Sequence, residues 1–364
     1  MQINDVGKIY LVGDLHFGVD ANSIAWLNHQ KKFFSELLIP HLKKTVKPGY
    51  ILFQFGDIFE TKQTLNVNIF NNVMDLFEEV AEILPVYIFL GNHDTYYSDR
   101  NDINSLKILS DKNNVHLFEN PTVIGINKKK LLVLPWISDF NNLMNILEDN
   151  QNKANYVFAH MDVAGMTYDN GYPIQRGVDF DILSKYDKVF SGHIHKPQVK
   201  DNFIYIGTPY HLDFGDVGQV KGFYELNPNT GKYKFIQKDK SPTFNYVDIF
   251  ELLEMNDAEI KNELENCFVK VKGPNSVLQS IQKDDIKTHV KSLLDQLHKF
   301  DFDPIPDKHT KDVKILKFNL NIPELAKENL TESGKFSPEQ VKDIVNLFKK
   351  LYDKSLEKMK KTDG

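Results

Sequence analysis

The chain has 364 residues, 41% of them apolar and 26% charged. This is the balance of a globular protein rather than a disordered or fibrous one, with length for two or three folding units. The formal net charge is −6, from 44 basic and 50 acidic residues, which argues against a function resting on bulk positive charge. Any nucleic-acid role must use local patches, bound cations or a partner. No stretch approaches the roughly 18 consecutive apolar residues of a membrane span, so no membrane role is expected. The single cysteine, Cys267, leaves no internal disulfide and no thiolate metal cluster, which suits a reducing compartment.

Residues 1–18 lack the basic and apolar segments of a secretory leader and read as the first strand of a domain. Short apolar, β-branched runs then recur at residues 8–12, 50–55, 86–90, 131–135, 156–159 and 188–190, the pattern of buried strands. Helical periodicity lies between them at 26–42, 66–83 and 104–110. Alternating strands and helices predict a layered α/β domain over residues 1–240. From about residue 244 the pattern changes. Strands are predicted at 246–250, 268–272 and 313–320, with a long helix at 276–297. This is a second, smaller α+β unit, residues 241–322.

Residues 321–336 are polar, with Pro323 and Gly334, and read as a linker. A helix start follows: Ser337 can cap, Pro338 suits the first helical position and Gln340 completes a capping-box spacing. Val341, Ile344, Val345, Phe348, Leu351, Tyr352 and Met359 fall on one face of that helix. Such a face either folds back on its own domain or docks in the groove or coiled coil of a partner. Residues 323–364 are therefore expected to form a linker and a docking helix.

The strongest signal is where Asp, Asn and His residues sit. Asp14-Leu15-His16 follows the first apolar run, Gly56-Asp57 the next and Gly91-Asn92-His93-Asp94 the third. His160 ends the run at 156–159, and Gly192-His193-Ile194-His195 follows the run at 188–190. Taken singly, each has a bland reading: Gly-Asp is a turn signal, Asn-His-Asp suits a capped turn, and a lone His is more often a hydrogen-bonded core residue. Jointly they place a metal-capable side chain at five strand ends, where ligands of open α/β sheets gather. Carboxylate, imidazole and amide without thiolate suit Mn, Fe or Zn. The number of candidates exceeds one tetrahedral site and fits a pair of ions sharing a carboxylate, a device for in-line phosphoryl displacement.

These five segments together resemble the signature of the calcineurin-like metallophosphoesterases, over roughly the first 215 residues. Within that superfamily, Ser191-Gly192-His193-Ile194-His195-Lys196-Pro197, Tyr205-Ile206-Gly207-Thr208-Pro209-Tyr210, Asp213-Phe214-Gly215-Asp216 and Lys221-Gly222-Phe223 are similar to SbcD-type DNA repair nucleases, including the small recombination-nuclease subunit of T4-like phages. The resemblance implies a two-sheet sandwich flanked by helices, then a small capping domain and a C-terminal amphipathic helix. It implies that Asp14, His16, Asp57 and His195 hold one Mn ion, and that Asp57, Asn92, His160 and His193 hold a second, with Asp57 shared. It gives His93 the role of catalytic acid or charge stabiliser, with Asp94 orienting it. It also implies DNA as substrate, an SMC-type coiled-coil ATPase subunit as partner, and a homodimer formed through residues 66–83 and 104–110. The location implied is the cytoplasm, of the host if the chain is of phage origin.

One position departs from archaeal and eukaryotic relatives, which carry a histidine after Gly-Asp-x-Phe; here Glu60 follows Gly56-Asp57-Ile58-Phe59. The chain lacks a Gly-x-x-x-x-Gly-Lys-Ser/Thr loop, so a partner would supply any ATPase. Lys43, Lys44, Lys47, Lys196 and Lys200 could touch phosphates, or be ordinary surface lysines. A small-molecule phosphodiesterase, such as one acting on cyclic nucleotides, is the alternative with the same metal core, but it leaves everything after residue 250 without a role. A protein phosphatase is disfavoured because no arginine lies between Asp57 and Gly91. A non-catalytic scaffold is disfavoured because every metal position and His93 are present.

Overall fold

The computed structural model describes residues 1–237, 244–294 and 297–306, together with Ser337, Pro338, Val341, Lys342 and residues 344–346. The chain falls into two compact units, Met1–Pro306 and Asp307–Gly364. In chain order the strands of the first unit are β1 (Gln2–Ile3), β2 (Lys8–Val12), β3 (Tyr50–Gln54), β4 (Val86–Phe89), β5 (Val115–Phe118), β6 (Thr122–Ile126), β7 (Lys129–Leu134) and β8 (Tyr156–His160). They continue with β9 (Lys188–Gly192), β10 (Gln198–Lys200), β11 (Phe203–Tyr205), β12 (Gly222–Leu226), β13 (Tyr233–Gln237), β14 (Phe244–Asp248), β15 (Phe268–Pro274) and β16 (Lys299–Ile305).

One sheet runs β1-β6-β7-β8-β9-β11-β10 and a second runs β13-β12-β2-β3-β4-β5. Ile9, Leu11, Phe53 and Phe89 of the second sheet share a buried cluster with Ile124, Val133, Phe158 and Phe190 of the first, so the sheets pack face to face. The alternate residues Tyr10, Val12 and Leu52 turn outward onto the helices Ile24–Lys32 and Val67–Ile83. Val157 and Ala159 turn onto the helix Phe140–Asn150. Both faces of β2, β3 and β8 are buried, which is why their sequences are continuously apolar. The two-sheet sandwich with flanking helices is as expected.

The helical stretch at 26–42 is observed as Ile24–Lys32, a wide π-helical segment Phe33–Leu38, and Ile39–Thr45. Pro40 has no N–H and its ring crowds the carbonyl four residues back, so the turns before it widen. The helix at 104–110 is observed only as a 3₁₀ segment, Lys107–Asp111. β14 is shorter than expected at its C-terminal end, because Asp248 caps the helix Ile249–Glu254 by accepting from Phe250 N. The single helix at 276–297 is two, Asn275–Ser280 and Lys283–Leu293.

β14-β15-β16 form a separate parallel sheet with its own core of Val247, Ile249, Leu264, Val269, Val271 and Phe300. Trp26 meets it, with ring centroids 4.9 Å from Phe244 and 4.5 Å from Phe268. The strand expected at 313–320 and the linker at 321–336 lie outside the described residues. Of the terminal helix, Pro338, Val341, Lys342 and residues 344–346 are helical, and Val341 N donates to Ser337 O; Phe348, Leu351, Tyr352 and Met359 lie outside the described residues. No helix among the described residues is long and apolar enough to cross a membrane.

Candidate metal centre

β2, β3 and β4 are parallel neighbours in one sheet, and β8 and β9 in the other. Their C-terminal ends therefore open on one edge of the sandwich. The turns there demand unusual backbone: His16 (φ 48°), Asp57 (φ 51°) and His193 (φ 87°) all lie in the left-handed region. Each such residue costs about 1–3 kcal/mol, and such strain clusters at functional sites. The strain is held by hydrogen bonds. Leu15 N and His16 N both donate to Asp57 O at 2.9 Å, Asp57 N donates to Asp94 Oδ2 at 2.7 Å, and His193 N donates to Asp14 Oδ2 at 2.8 Å. Gly192 is required by proximity: a Cβ there would lie 2.5 Å from Asp14 Oδ1, 2.8 Å from Phe55 O and 3.0 Å from His160 Nδ1.

Three groups of side chains bring ligand atoms within 4.8 Å of one another: Asp14, His16 and His195; His16, Asp57 and His93; Asp57, His160 and His193. They overlap at His16 and Asp57. Asp57 Oδ2 lies 3.2 Å from His160 Nε2 and 3.8 Å from His16 Nε2. Asn92 Oδ1 lies 3.0 Å from His160 Nε2 and 2.9 Å from His193 Nδ1. All seven expected ligand residues thus meet in one cleft, with His93 beside them.

The hydrogen bonds behind the imidazoles fix which nitrogen faces inward. A carbonyl or carboxylate oxygen only accepts, so a ring nitrogen bonded to one carries the hydrogen. His160 Nδ1 donates to Phe55 O at 2.7 Å, and His16 Nδ1 donates to Glu60 Oε2 at 2.7 Å. In the neutral rings Nε2 is then a bare lone pair in both. His160 Nε2 confronts Asp57 and Asn92 oxygens, and His16 Nε2 confronts His195 Nε2 at 3.1 Å. Asp14 Oδ1 is buried with no hydrogen-bond partner. When these rings are neutral, acceptors face acceptors in a buried cleft, an arrangement relieved by protons on the rings or cations between them, and the mixed N/O donor set suits divalent ions.

The charges show protons taking part in that relief. Burial pushes the Asp14 carboxyl up to about 6, with Asp57 adding to the effect. Burial pulls the His160 imidazole down, but the Asp57 and Asp14 carboxylates outweigh it and raise the ring to about 10. Burial opposes ionisation of Asp57 as well, yet the His160 and His16 rings hold its carboxyl far below the usual range. Burial, with His16 and Lys221 nearby, keeps His195 well below an ordinary histidine, so its ring is neutral, as a ligand must be.

Asp94 differs from the expectation that it orients His93. Its carboxylate accepts from Asp57 N at 2.7 Å, Gly91 N at 2.8 Å and Ile58 N at 3.1 Å. It therefore ties the ends of β3 and β4 together rather than touching the His93 ring. Burial and the Asp57 charge raise its carboxyl to about 7 against those N–H bonds. What holds His93 is the Glu60 carbonyl, which accepts from its Nδ1 at 2.7 Å.

Sequence reasoning missed several neighbours. Asp162 Oδ1 lies 3.3 Å from His193 Nε2, and its place two residues after His160 was the available signal. The Trp136 ring packs 5.0 Å from His193; it sits just beyond β7, the strand beside β8. Of the lysines singled out, Lys43 pairs with Glu79 at 3.0 Å and Lys200 lies over the Phe180 ring, which are surface roles.

A family model described as calcineurin-like phosphoesterase matches residues 7–197, just over half of the chain. The chain belongs to the calcineurin-like phosphoesterase family. As a member it is a metal-dependent phosphoesterase, and residues 7–197 carry every expected ligand. Exonuclease subunit 1 of Enterobacteria phage T4 is 25% identical over 326 residues, spanning 82% of this chain and 93% of that protein. A putative phosphoesterase of Invertebrate iridescent virus 6 is 27% identical over 64% of this chain and 80% of its own length. The SbcD subunit of the nuclease SbcCD of Staphylococcus saprophyticus is 23% identical over 59% of this chain and 64% of its own length. Among solved structures, an archaeal phosphodiesterase aligns with 64% of this chain and 99% of that chain, at 11% identity and a TM-score of 0.33.

Proposed function

We propose that the chain is a DNA nuclease subunit that hydrolyses phosphodiesters with two Mn ions. The observation that carries this reading is the overlap of the ligand groups at Asp57, whose Oδ2 faces His160 Nε2 and His16 Nε2 together. Asp14, His16, Asp57 and His195 would hold one ion, and Asp57, Asn92, His160 and His193 the other. Bound there, a pair of divalent cations polarises the phosphoryl group and lowers the pKa of the attacking water.

The chain's own residues do the rest. Glu60 holds two rings at once, His16 through its carboxylate and His93 through its carbonyl. With Nδ1 committed to that carbonyl, His93 offers only Nε2 to substrate. In its imidazolium form Nε2 donates a hydrogen bond to the phosphoryl oxygens, or a proton to the leaving oxygen. Asp94 keeps the β3 and β4 ends in register, so that His93 N can donate to Asp57 Oδ1 at 2.8 Å and orient that carboxylate.

DNA as substrate is supported by the likeness to the phage exonuclease subunit, which continues well past the phosphoesterase region. Two of the relatives are named as subunits, which supports a partner; the reading is an SMC-type coiled-coil ATPase that receives the terminal helix. On the same reading residues 241–322 form the capping domain, residues 323–364 the linker and docking helix, and the protein is a cytoplasmic homodimer. The exposed Val67 and Ile108 lie on the dimer surfaces so expected.

The test is Mn-dependent cleavage of linear duplex DNA beside hydrolysis of bis-p-nitrophenyl phosphate and a cyclic nucleotide, with His93→Ala as control. Duplex cleavage that falls at least 100-fold in the variant is expected, at the lower end of what a positioned acid–base group contributes, ~10²–10⁴-fold. Turnover of the cyclic nucleotide with DNA left intact, with and without the ATPase, would replace the nuclease reading by the small-molecule one.

A further inference from the structure

Lys221 carries a buried charge that the proposed hydrolysis does not use. Its side chain is fully enclosed, and its ammonium meets three acceptors: Asp216 Oδ1 at 2.7 Å, the His195 carbonyl at 2.7 Å and Thr208 Oγ1 at 3.0 Å. An ammonium has three hydrogens, so all of its donors are committed. The partner carboxylate is equally committed, because Asp216 Oδ2 accepts from Leu212 N at 2.8 Å. One cation thus joins three separate segments: the loop after β9, the loop after β11 and the 3₁₀ turn Phe214–Asp216.

A buried ion pair is a poor device for stability alone, since well-packed apolar residues of similar volume do as well or better. Its position suggests another use. The His195 carbonyl accepts from Thr208 N at 3.0 Å as well as from Lys221, so its backbone is clamped from two sides. The His195 ring has weaker support: His16 Nε2 at 3.1 Å, and Asp169 Oδ2 at 3.7 Å, too long for a hydrogen bond. His16 and His160 each donate from Nδ1 to an oxygen at 2.7 Å, whereas Asp162 Oδ1, 3.3 Å from His193 Nε2, makes no hydrogen bond. His195 is instead held through its backbone.

We propose that Lys221 and Asp216 are positioning residues, fixing the His195 backbone so that its Nε2 stays aimed at Asp14 and His16. This rests on the reading of His195 as a metal ligand. It assigns the pair no contact with substrate.

The test compares Mn binding, followed by the EPR signal of free Mn, in the full chain, in Lys221→Met and in Lys221→Met/Asp216→Leu. The double variant replaces the ion pair by apolar volume and is expected to recover the melting temperature that the single variant loses. If the pair positions His195, one Mn site in the double variant weakens by about 10-fold or more, as for other groups behind a ligand, while the other keeps its affinity. Two sites of unchanged affinity, or equal loss at both, would overturn the proposal. Should the double variant fail to fold, Thr208→Val removes one acceptor from the ammonium and leaves the ion pair whole. A loss confined to one site is again expected, and unchanged affinity at both overturns the proposal. A full chain that binds no Mn would instead remove the metal reading itself.

Discussion

Glu60 presents a carboxylate to one imidazole and a carbonyl to another, across 44 and 33 residues of sequence. Its carboxyl is held below the usual range: burial opposes this, but the His16 hydrogen bond and charge prevail. Glu60→Gln keeps the shape and an acceptor but removes the negative charge behind His16. Mn affinity by calorimetry should fall about 10-fold or more; unchanged affinity would show that the carboxylate merely fills space.

A second carboxylate gives a pH prediction away from the cleft. Glu225 is flanked by Lys8 Nζ at 2.8 Å and His41 Nε2 at 2.7 Å, and these partners lower its carboxyl despite the opposing effect of burial. A depressed carboxyl stabilises the fold above its unfolded pKa of about 4.3, and that contribution is lost as pH falls through the folded value. Glu225→Gln should therefore be less stable than the parent by about 1 kcal/mol at pH 7, and the two denaturation midpoints should converge below about pH 4. A gap that persists in acid would contradict this.

The ligand types and their strand-end positions are legible in the sequence, because Asp and His tolerate the left-handed turns that aim them inward. The partners are not. The resemblance implies that Asp94 orients His93, but its carboxylate turns back onto the N–H groups of two strand ends, a direction that the sequence does not carry. Glu60 stands out only as a departure from relatives, and the rings it holds lie 44 and 33 residues away in sequence.

Strands are more legible in the sequence than helices. β2, β3, β4, β8 and β9 are continuous apolar runs because both their faces are covered. Helix extents were set by tertiary demands that periodicity does not carry. The stretch at 276–297 breaks where Ile281 turns extended (φ −97°, ψ 154°) and packs against the core of the small sheet. At Lys107–Asp111 only a 3₁₀ turn forms, with Asn104 Oδ1 accepting from Leu106 N just before it. The start of Val67–Ile83 was legible, since Asn66 accepts from Asn68 N and Ile69 N. Asn66→Ala should cost about 1 kcal/mol in a denaturant titration; no change would mean that water caps that end equally well. Gly192→Ala makes an element-level prediction about the site. The methyl group would collide with Asp14, Phe55 and His160 at once, so Mn binding should be lost while far-ultraviolet dichroism keeps its shape. Normal binding would mean that the β9 turn yields more readily than its contacts indicate.

Across the first unit, the sandwich edge supplies the chemistry and the β14-β15-β16 sheet is joined to it through aromatic packing. Trp26 projects from the helix Ile24–Lys32 against Phe244 and Phe268, whose own rings stack at 4.7 Å. Trp26→Ala should destabilise the protein by about 3–5 kcal/mol and speed amide exchange in β14 and β15 more than in β3 or β8. Uniform exchange would show that the small sheet does not depend on this joint. The switch from α/β to a smaller sheet near residue 244 was visible as a change of pattern. The aromatic joint was not, because Trp26 looks like any apolar residue of an amphipathic helix.

On the proposed reading, five strand ends build one site for two cations that share Asp57. The most direct measurement is anomalous scattering from a crystal of the protein soaked with Mn. Two peaks about 3.5–4 Å apart, with the Asp57 carboxylate between them, are predicted. A single peak, or peaks away from Asp57 and His160, would contradict it.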